Sequence, residues 1–410
     1  MMMISSASSR DRQSSFDKLQ LVAVVALAAL SAAFVFSATS HSELASALPW
    51  YRLTYFKQII WFVVGTGAAV AVCIIDYHSF SRWAMVAYII SMLTLIVVLI
   101  PGIGSQHHGA GRWIDFGGFQ LQPSEFAKLA FILAEAHFLS RPQDELRQPG
   151  IFWRSLGLMV LPFILIMKEP DLGSGLVLLP TGLVMLYAAG APRRYLVQLL
   201  TVGGVACLLI VADVLFAPPR YQVVKMHDYQ KSRLMVYFGL DYAESYEGRN
   251  ASPAEKQRLR EKQFDASLNV RQSLIAVGSG GLTGKGWRQG QQNGLGFLPT
   301  ASKHNDFIFS VIAEELGFVG SGIVILLYAV VLFTGIRIAG QARDRLGKLL
   351  AVGVVALLFS HVFINIGMNI RIMPVTGVPL PLLSYGGSSV LCSLIAIGML
   401  QNVYIYRKAY

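Results

Sequence analysis

Repeated apolar runs of bilayer length constrain this chain more than any other feature. They fall at 19–37, 58–75, 82–100, 126–140, 151–168, 173–190, 195–216, 307–334, 347–367 and 388–405, and a helix needs about 20 such residues to cross the hydrocarbon core. One run of this kind could be a buried core helix, but ten in series make a polytopic membrane protein. Charged residues are only 14% of the chain, against about 25% in an ordinary globular domain, so water is the solvent for the loops alone. The expected fold is all-α, with about ten transmembrane helices, re-entrant segments and one long extracytoplasmic loop. The fourth run is short, and extending it back to Pro123 would place a proline in the first helical turn, where it is tolerated.

A net charge of +11 would suggest nucleic acid in a soluble protein. Here the cations cluster in short loops, where they set topology, and nucleic acid is set aside. Placing the N-terminus in the cytoplasm puts Arg82, Arg141, Arg147, Arg154, Arg193, Arg194, Arg337, Arg343, Arg345, Lys348, Arg407 and Lys408 on that side. An even number of spans then returns the C-terminus to the cytoplasm. The run at 19–37 is longer than a signal-peptide core and reads as a retained first helix. The organisation expected is a cytoplasmic tail at 1–18, seven helices over 19–216, the long extracytoplasmic loop at 217–306, and three helices with a short tail over 307–410. Cys73, Cys207 and Cys392 lie in apolar segments without metal-ligand spacing.

Within the long loop, Ser252-Pro-Ala-Glu255 reads as a capping box that starts a charged helix running to about Phe264, with Lys256, Arg258, Arg260, Glu261 and Lys262 on solvated faces. Arg233 to Phe238 mixes cations and aromatics as interfacial segments do. Downstream, Gly278-Ser-Gly-Gly-Leu-Thr-Gly-Lys-Gly286 is either a plain loop or a turn whose amides and Lys285 approach a phosphate.

Ionisable residues at membrane depth are expensive and point to function. Glu125 and Lys128 are three apart on one helical face, an ion pair that either fixes packing or serves chemistry. Trp113 reads equally as an interfacial anchor. Lys168-Glu-Pro-Asp171 suggests a re-entrant turn lining a wet cavity, or an aspartate capping the next helix. His304-Asn-Asp306 precedes the eighth span, where Asp306 is either an N-cap or a carboxylate base facing an amphiphilic substrate. The stretch from Asn369 to Ser389 holds prolines and glycines that cannot face lipid as irregular backbone, so it lines a cavity or packs on protein, with Arg371 as a cation for an anionic headgroup.

At these residues the sequence resembles the SEDS family, the bacterial peptidoglycan polymerases that include RodA and FtsW. The resemblance rests on Gly109-Ala-Gly-Arg-Trp113, Gln122-Pro-Ser-Glu125-Phe-Ala-Lys128, Pro170-Asp-Leu-Gly173, Gln272 to Gly286, Asp306-Phe-Ile-Phe309 and Pro381-Leu-Leu-Ser384-Tyr-Gly-Gly387, in order along nearly the whole chain. The version Pro374-Val-Thr-Gly-Val-Pro-Leu-Pro381 looks more like the RodA elongation branch. Two departures stand out: Leu298 to Asp306 is longer than the family pattern with Asn305 in place of threonine, and Asp241 to Asn269 inserts the charged helix.

The resemblance implies an inverting glycosyltransferase in the bacterial inner (plasma) membrane. It would join lipid II units, moving the growing glycan from undecaprenyl pyrophosphate to the C4 hydroxyl of the next sugar, in cell-wall elongation and shape control. It makes Asp306 the catalytic base and Trp113, Glu125, Lys128, Lys285, Arg371 and Ser384 the substrate-binding residues. It leaves room for a divalent cation, Mg or Mn, and implies no other cofactor. The implied partner is a class B penicillin-binding protein; the resemblance does not fix its docking surface, for which the ninth span and the end of the eighth are the expectation. A lipid II flippase, which shares broken helices and buried charges, and a non-catalytic scaffold in which Asp306 is merely a helix cap are the competing readings.

Overall fold

The computed structural model describes residues 16–40, 49–100, 104–107, 110–115, 117, 120–146, 148–169, 171–216, 228–240, 252–295 and 304–407. The tail before residue 16, the start of the long loop at 217–227, the 241–251 stretch of the inserted segment, Pro170 and the lengthened segment at 298–303 lie outside the described residues.

Every apolar window forms a helix, since hydrocarbon offers a backbone no partner outside its own segment. In chain order the elements are α1 (Lys18–Ser40), α2 (Thr54–Ile74), α3 (Tyr77–Arg82), α4 (Ala84–Val98), β1 (Ser105–His107), β2 (Ala110–Asp115), β3 (Gln120–Leu121) and α5 (Pro123–Leu139). There follow α6 (Gln143–Leu146), α7 (Pro149–Lys168), α8 (Leu172–Ala189), α9 (Arg193–Phe216), α10 (Asp228–Phe238), α11 (Pro253–Ser279) and α12 (Gln291–Gly294). The chain closes with α13 (Ile308–Gln341), α14 (Arg345–Asn369) and α15 (Gly387–Tyr406).

Among the described residues, eight helices are long and apolar enough to cross a membrane: α1, α2, α7, α8, α9, α13, α14 and α15. The other two expected spans are shorter, 15 residues in α4 and 17 in α5. The latter does start at Pro123, and it is less apolar because it carries Glu125, Lys128 and Glu135, all buried.

The centre of the bundle is α14 and α15, the most enclosed of the spans. Helix α15 lies along α2, and α14 touches α5, α8 and α13. Small residues let backbones approach: a Cβ on Gly398 would stand 2.8 Å from the Ala69 carbonyl oxygen. In contrast α9 buries only Leu196, Val214 and Leu215. At the side assigned to the cytoplasm, the Asp17 amide donates to Gln401 Oε1 at 2.9 Å and the Asp17 carboxylate takes a bond from Arg337.

Two features outside the membrane differ from expectation. The segment after α4 builds a small antiparallel sheet in the order β1-β2-β3, with Ser105 opposite Trp113 and Ile114 opposite Leu121. Pairing satisfies backbone groups that a bare loop would leave to solvent. The charged helix is present with its capping box, the Ser252 hydroxyl accepting from the Glu255 amide at 3.3 Å and the Glu255 carboxylate from the Ser252 amide at 2.8 Å. It does not end near Phe264 but runs 27 residues to Ser279. No glycine or proline interrupts it before Gly278, and its second half docks on the bundle through Ser273 and Ala276, both fully buried.

Candidate active site

The non-helical stretch between α14 and α15 runs through the protein interior, with Thr376, Val378, Leu380, Leu382, Leu383 and Ser384 all buried. Irregular backbone at that depth requires side-chain partners, and four helices supply them. Ser31 of α1 donates to the Leu383 carbonyl at 2.8 Å, Gln58 of α2 to the Ser384 carbonyl at 3.1 Å, Tyr328 of α13 to the Pro381 carbonyl at 2.5 Å and Asn365 of α14 to the Val378 carbonyl at 2.7 Å. The stretch packs on protein, as its prolines required.

Asp306 stands at the edge of this segment. The N-cap of α13 is Phe307, without a side-chain capping bond, so Asp306 does not cap that helix. Its backbone carbonyl accepts from Asn365 Nδ2 at 3.0 Å and Asn369 Nδ2 at 3.1 Å, and a Cβ on Gly377 would lie 3.6 Å from its Oδ2. Ser384 secures the same turn. Its hydroxyl donates to the Asn305 carbonyl at 2.5 Å and accepts from the Leu380 amide at 2.8 Å, and the Tyr385 amide donates to the His304 carbonyl at 2.9 Å. Ser384 therefore supports the turn beside Asp306, with both hydrogen-bonding directions used inside the protein.

On the other side of the segment lies the expected ion pair. Lys128 Nζ donates to Glu125 Oε1 at 2.7 Å and stands 2.9 Å from His361 Nε2. His361 Nδ1 faces the Pro379 carbonyl at 3.3 Å. A carbonyl only accepts, so the network assigns the imidazole proton to Nδ1 and leaves Nε2 to accept from the ammonium. The pair thus reaches the non-helical segment through His361.

A third cluster forms where α7 meets α8. Asp171 caps α8 by accepting from the Ser174 amide at 3.1 Å, and its other oxygen accepts from Gln122 at 3.0 Å and Ser124 at 3.2 Å. Arg112 Nε donates to the Glu169 carbonyl at 3.2 Å, with Nη1 3.9 Å from Asp171. Trp113, half-buried, follows on β2. The Glu169 carboxyl is buried without a hydrogen-bond partner among the described residues. Burial first and the Asp171 charge second push it up to about 8, with Arg112 opposing. This cluster abuts the Asp306 region through Gly173, where a Cβ would stand 2.9 Å from the Thr376 carbonyl oxygen.

The glycine-rich turn does something other than cradle phosphate. Inside α13, Gly317 has φ +67° and ψ −160°, which breaks the helix. Residues 280–286 fill the break: the Lys285 amide donates to the Glu314 carbonyl and the Gly286 amide to the Glu315 carbonyl, each at 3.0 Å. In return the Phe318 and Val319 amides donate to the Gly281 and Leu282 carbonyls at 2.8 and 3.0 Å. The Lys285 and Gly286 amides are engaged in this splice. Lys285 Nζ pairs with Glu314 Oε1 at 2.7 Å, so Lys285 serves the splice and stands apart from the Asp306 group. Arg371 is exposed next to Asn369 and faces α11.

Among the described residues no group of three or more His, Cys, Asp or Glu side chains is placed to hold a metal ion. Sequence reading missed His361, Asn365 and Asn369. They recur every four residues in an apolar helix, and that polar stripe was the available signal.

A family model for cell cycle proteins, FtsW/RodA/SpoVE, matches residues 18–409. The peptidoglycan glycosyltransferase MrdB of Escherichia coli K12 is 36% identical, over 86% of this chain and 86% of its own. Stage V sporulation protein E of Bacillus subtilis is also 36% identical, over 86% of this chain and 87% of its own. A solved structure from work on a peptidoglycan synthase complex that coordinates polymerization and crosslinking superposes with a TM-score of 0.72 at 26% identity, covering 96% of this chain and 99% of that one. With the family model matching nearly the whole chain and relatives 36% identical over most of it, the chain belongs to the FtsW/RodA/SpoVE family, the SEDS proteins its motifs resemble.

Proposed function

We propose that this protein is a peptidoglycan glycosyltransferase that polymerises lipid II at the outer face of a bacterial plasma membrane, with both termini cytoplasmic and Asp306 as the catalytic base. The observation that carries this reading is the way Asp306 is held. Two buried asparagines grip its backbone carbonyl, the N-cap position of α13 falls to Phe307, and the turn is braced through Asn305 by Ser384. A scaffold whose Asp306 is only a cap has no use for that arrangement.

In the reaction, Asp306 accepts the proton of the acceptor C4 hydroxyl as its oxygen attacks the donor anomeric carbon. The bond from that carbon to the diphosphate breaks with inversion, and positive charge near the site stabilises the departing diphosphate. Arg371 is the exposed cation of the set. Lys128 is 1% exposed and bound to Glu125, which suits it to holding the non-helical segment through His361. Trp113 and Arg112 come from the small sheet, Arg112 reaching the Glu169 carbonyl and Asp171.

Elongation and shape control are assigned on the Pro374-to-Pro381 sequence. The partner is a class B penicillin-binding protein on α14 and the end of α13, where Phe359 and Phe363 stack at 5.9 Å while both remain exposed.

The test is glycan synthesis from lipid II by purified protein with its cognate penicillin-binding protein, comparing wild type with Asp306→Asn at matched folding. Polymer from wild type alone is the expected result. Equal polymer from both removes Asp306 as base, and none from either moves the assignment to lipid transport or scaffolding.

A further inference from the structure

A side-chain amide that holds a carbonyl must itself be held. Asn369 Nδ2 gives to the Asp306 carbonyl at 3.1 Å and to the Asn365 carbonyl at 2.8 Å, so two acceptors demand the nitrogen on that side and the amide oxygen on the other. Asn369 is only 1% exposed, and an amide oxygen buried to that degree needs a donor of its own. The Ser310 hydroxyl supplies it, giving to Asn369 Oδ1 at 2.5 Å.

A hydroxyl has one proton, and that bond spends the one on Ser310. Its contact with Ser273 Oγ at 2.7 Å is therefore one in which Ser273 donates. The Ser273 proton is shared with the Asn369 backbone carbonyl at 3.1 Å. Asn369 is the last residue of α14, where a carbonyl has no donor within its own helix. The bonds thus run in one direction, from Ser273 to Ser310 to Asn369 to the Asp306 carbonyl, and bonds aligned in this way reinforce one another. Three helices contribute. Ser310 stands in the first turn of α13, where side chains lean back towards the N-terminus and so towards Asp306. Ser273 shares the docked face of α11 with Ala276, three residues on. Both serines are fully buried.

We propose that Ser273 and Ser310 are positioning residues for the reaction, setting Asp306 through the amide of Asn369. Neither is exposed to substrate, and each acts only through the next group in the chain. The extramembrane helix α11 is then part of the catalytic setting and not merely a cover over it. This assignment rests on the reading of Asp306 as the base of a polymerase.

The experiment is a mutant cycle on glycan synthesis from lipid II, using the full chain with its cognate penicillin-binding protein at a temperature where every variant is folded. Ser310→Ala is expected to lower kcat about tenfold with KM unchanged, the loss that follows removal of one hydrogen bond from the setting of the base. Ser273→Ala is expected to lower it about threefold, since it acts one step further away. In an Asn369→Ala background both serine substitutions should become silent, because the group they act through is gone. Losses that multiply in full in that background overturn the proposal, as does unchanged kcat in both single variants. A rise in KM alone also overturns it, by making the serines part of substrate binding. Should Ser310→Ala fail to fold, Ser273→Ala with Asn369→Ala completes the same cycle. Polymer from wild type with independent serine losses counts against the positioning chain alone, whereas no polymer from wild type removes the polymerase reading and the proposal with it.

Discussion

Lys128 and Glu125 form an ion pair of 2.7 Å in a place that water barely reaches, the two side chains being 2% and 5% exposed. Removing one partner of a buried pair strands the other, at a cost of about 3–5 kcal/mol, while removing both together costs much less. Lys128→Met is therefore expected to lower the melting temperature in detergent sharply. The double variant with Glu125→Gln should regain much of that loss. A double variant as unstable as the sum of the singles would show that the pair does not act as a unit.

Asn365 and Asn369 hold the Asp306 carbonyl from one face of α14. Asn369→Ala leaves the carboxylate in place and loosens its setting. Because a misplacement of about 1 Å can cost roughly a hundredfold in rate, kcat should fall by about that factor with little change in KM. A KM effect alone would instead make Asn369 a substrate ligand.

Glu169 gives a pH dependence whose sign follows from its environment. Its folded-state value is raised from 4.5 to about 8, so in that interval the folded protein holds a proton that the unfolded chain has lost. Stability contributed by the protonated carboxyl is complete below the lower value and declines as pH rises towards the upper one. Glu169→Gln should match wild type in melting near pH 4 and exceed it increasingly up to about pH 8. A constant difference across that range would mean that Glu169 does not titrate there.

The break at Gly317 sets an opposite pair of expectations along one helix. A Cβ at Gly317 would stand 2.3 Å from the Gly284 amide nitrogen, in a backbone conformation of φ +67°. Gly317→Ala should cost more than about 2 kcal/mol, since two backbones would have to part. At Gly322 an added Cβ meets nothing within 4 Å, and Gly322→Ala should gain about 0.5–1 kcal/mol from reduced chain entropy. Thermal denaturation of both variants reads the sign directly.

Much of this architecture was legible in the residues. Each of the ten apolar windows holds a helix, eight of them long and apolar enough to cross a membrane, because bilayer length and apolarity act on each segment separately. The Glu125–Lys128 pair and the Ser252 capping box were equally local, each needing only three residues of helical geometry. What stayed hidden depends on partners far along the chain. The pairing of 280–286 with 314–319 has no periodic signature, and Gly317 looks like any membrane-helix glycine until its φ is known. The full length of α11 was missed because its second half is held by burial against α13.

The splice at Gly317 has a mechanical consequence. Of its four backbone hydrogen bonds, two grip the short segment from Ile308 to Leu316 and two grip the long remainder of α13. Residues 280–286 thereby work as a hinge pin. The short arm, which begins immediately after Asp306, is also gripped at Ser310 by Ser273 of α11, 2.7 Å away. A continuous run of hydrogen bonds thus ties α11 and residues 280–286 to the short arm beside Asp306, so that arm is anchored to the extramembrane layer and not only to the long arm.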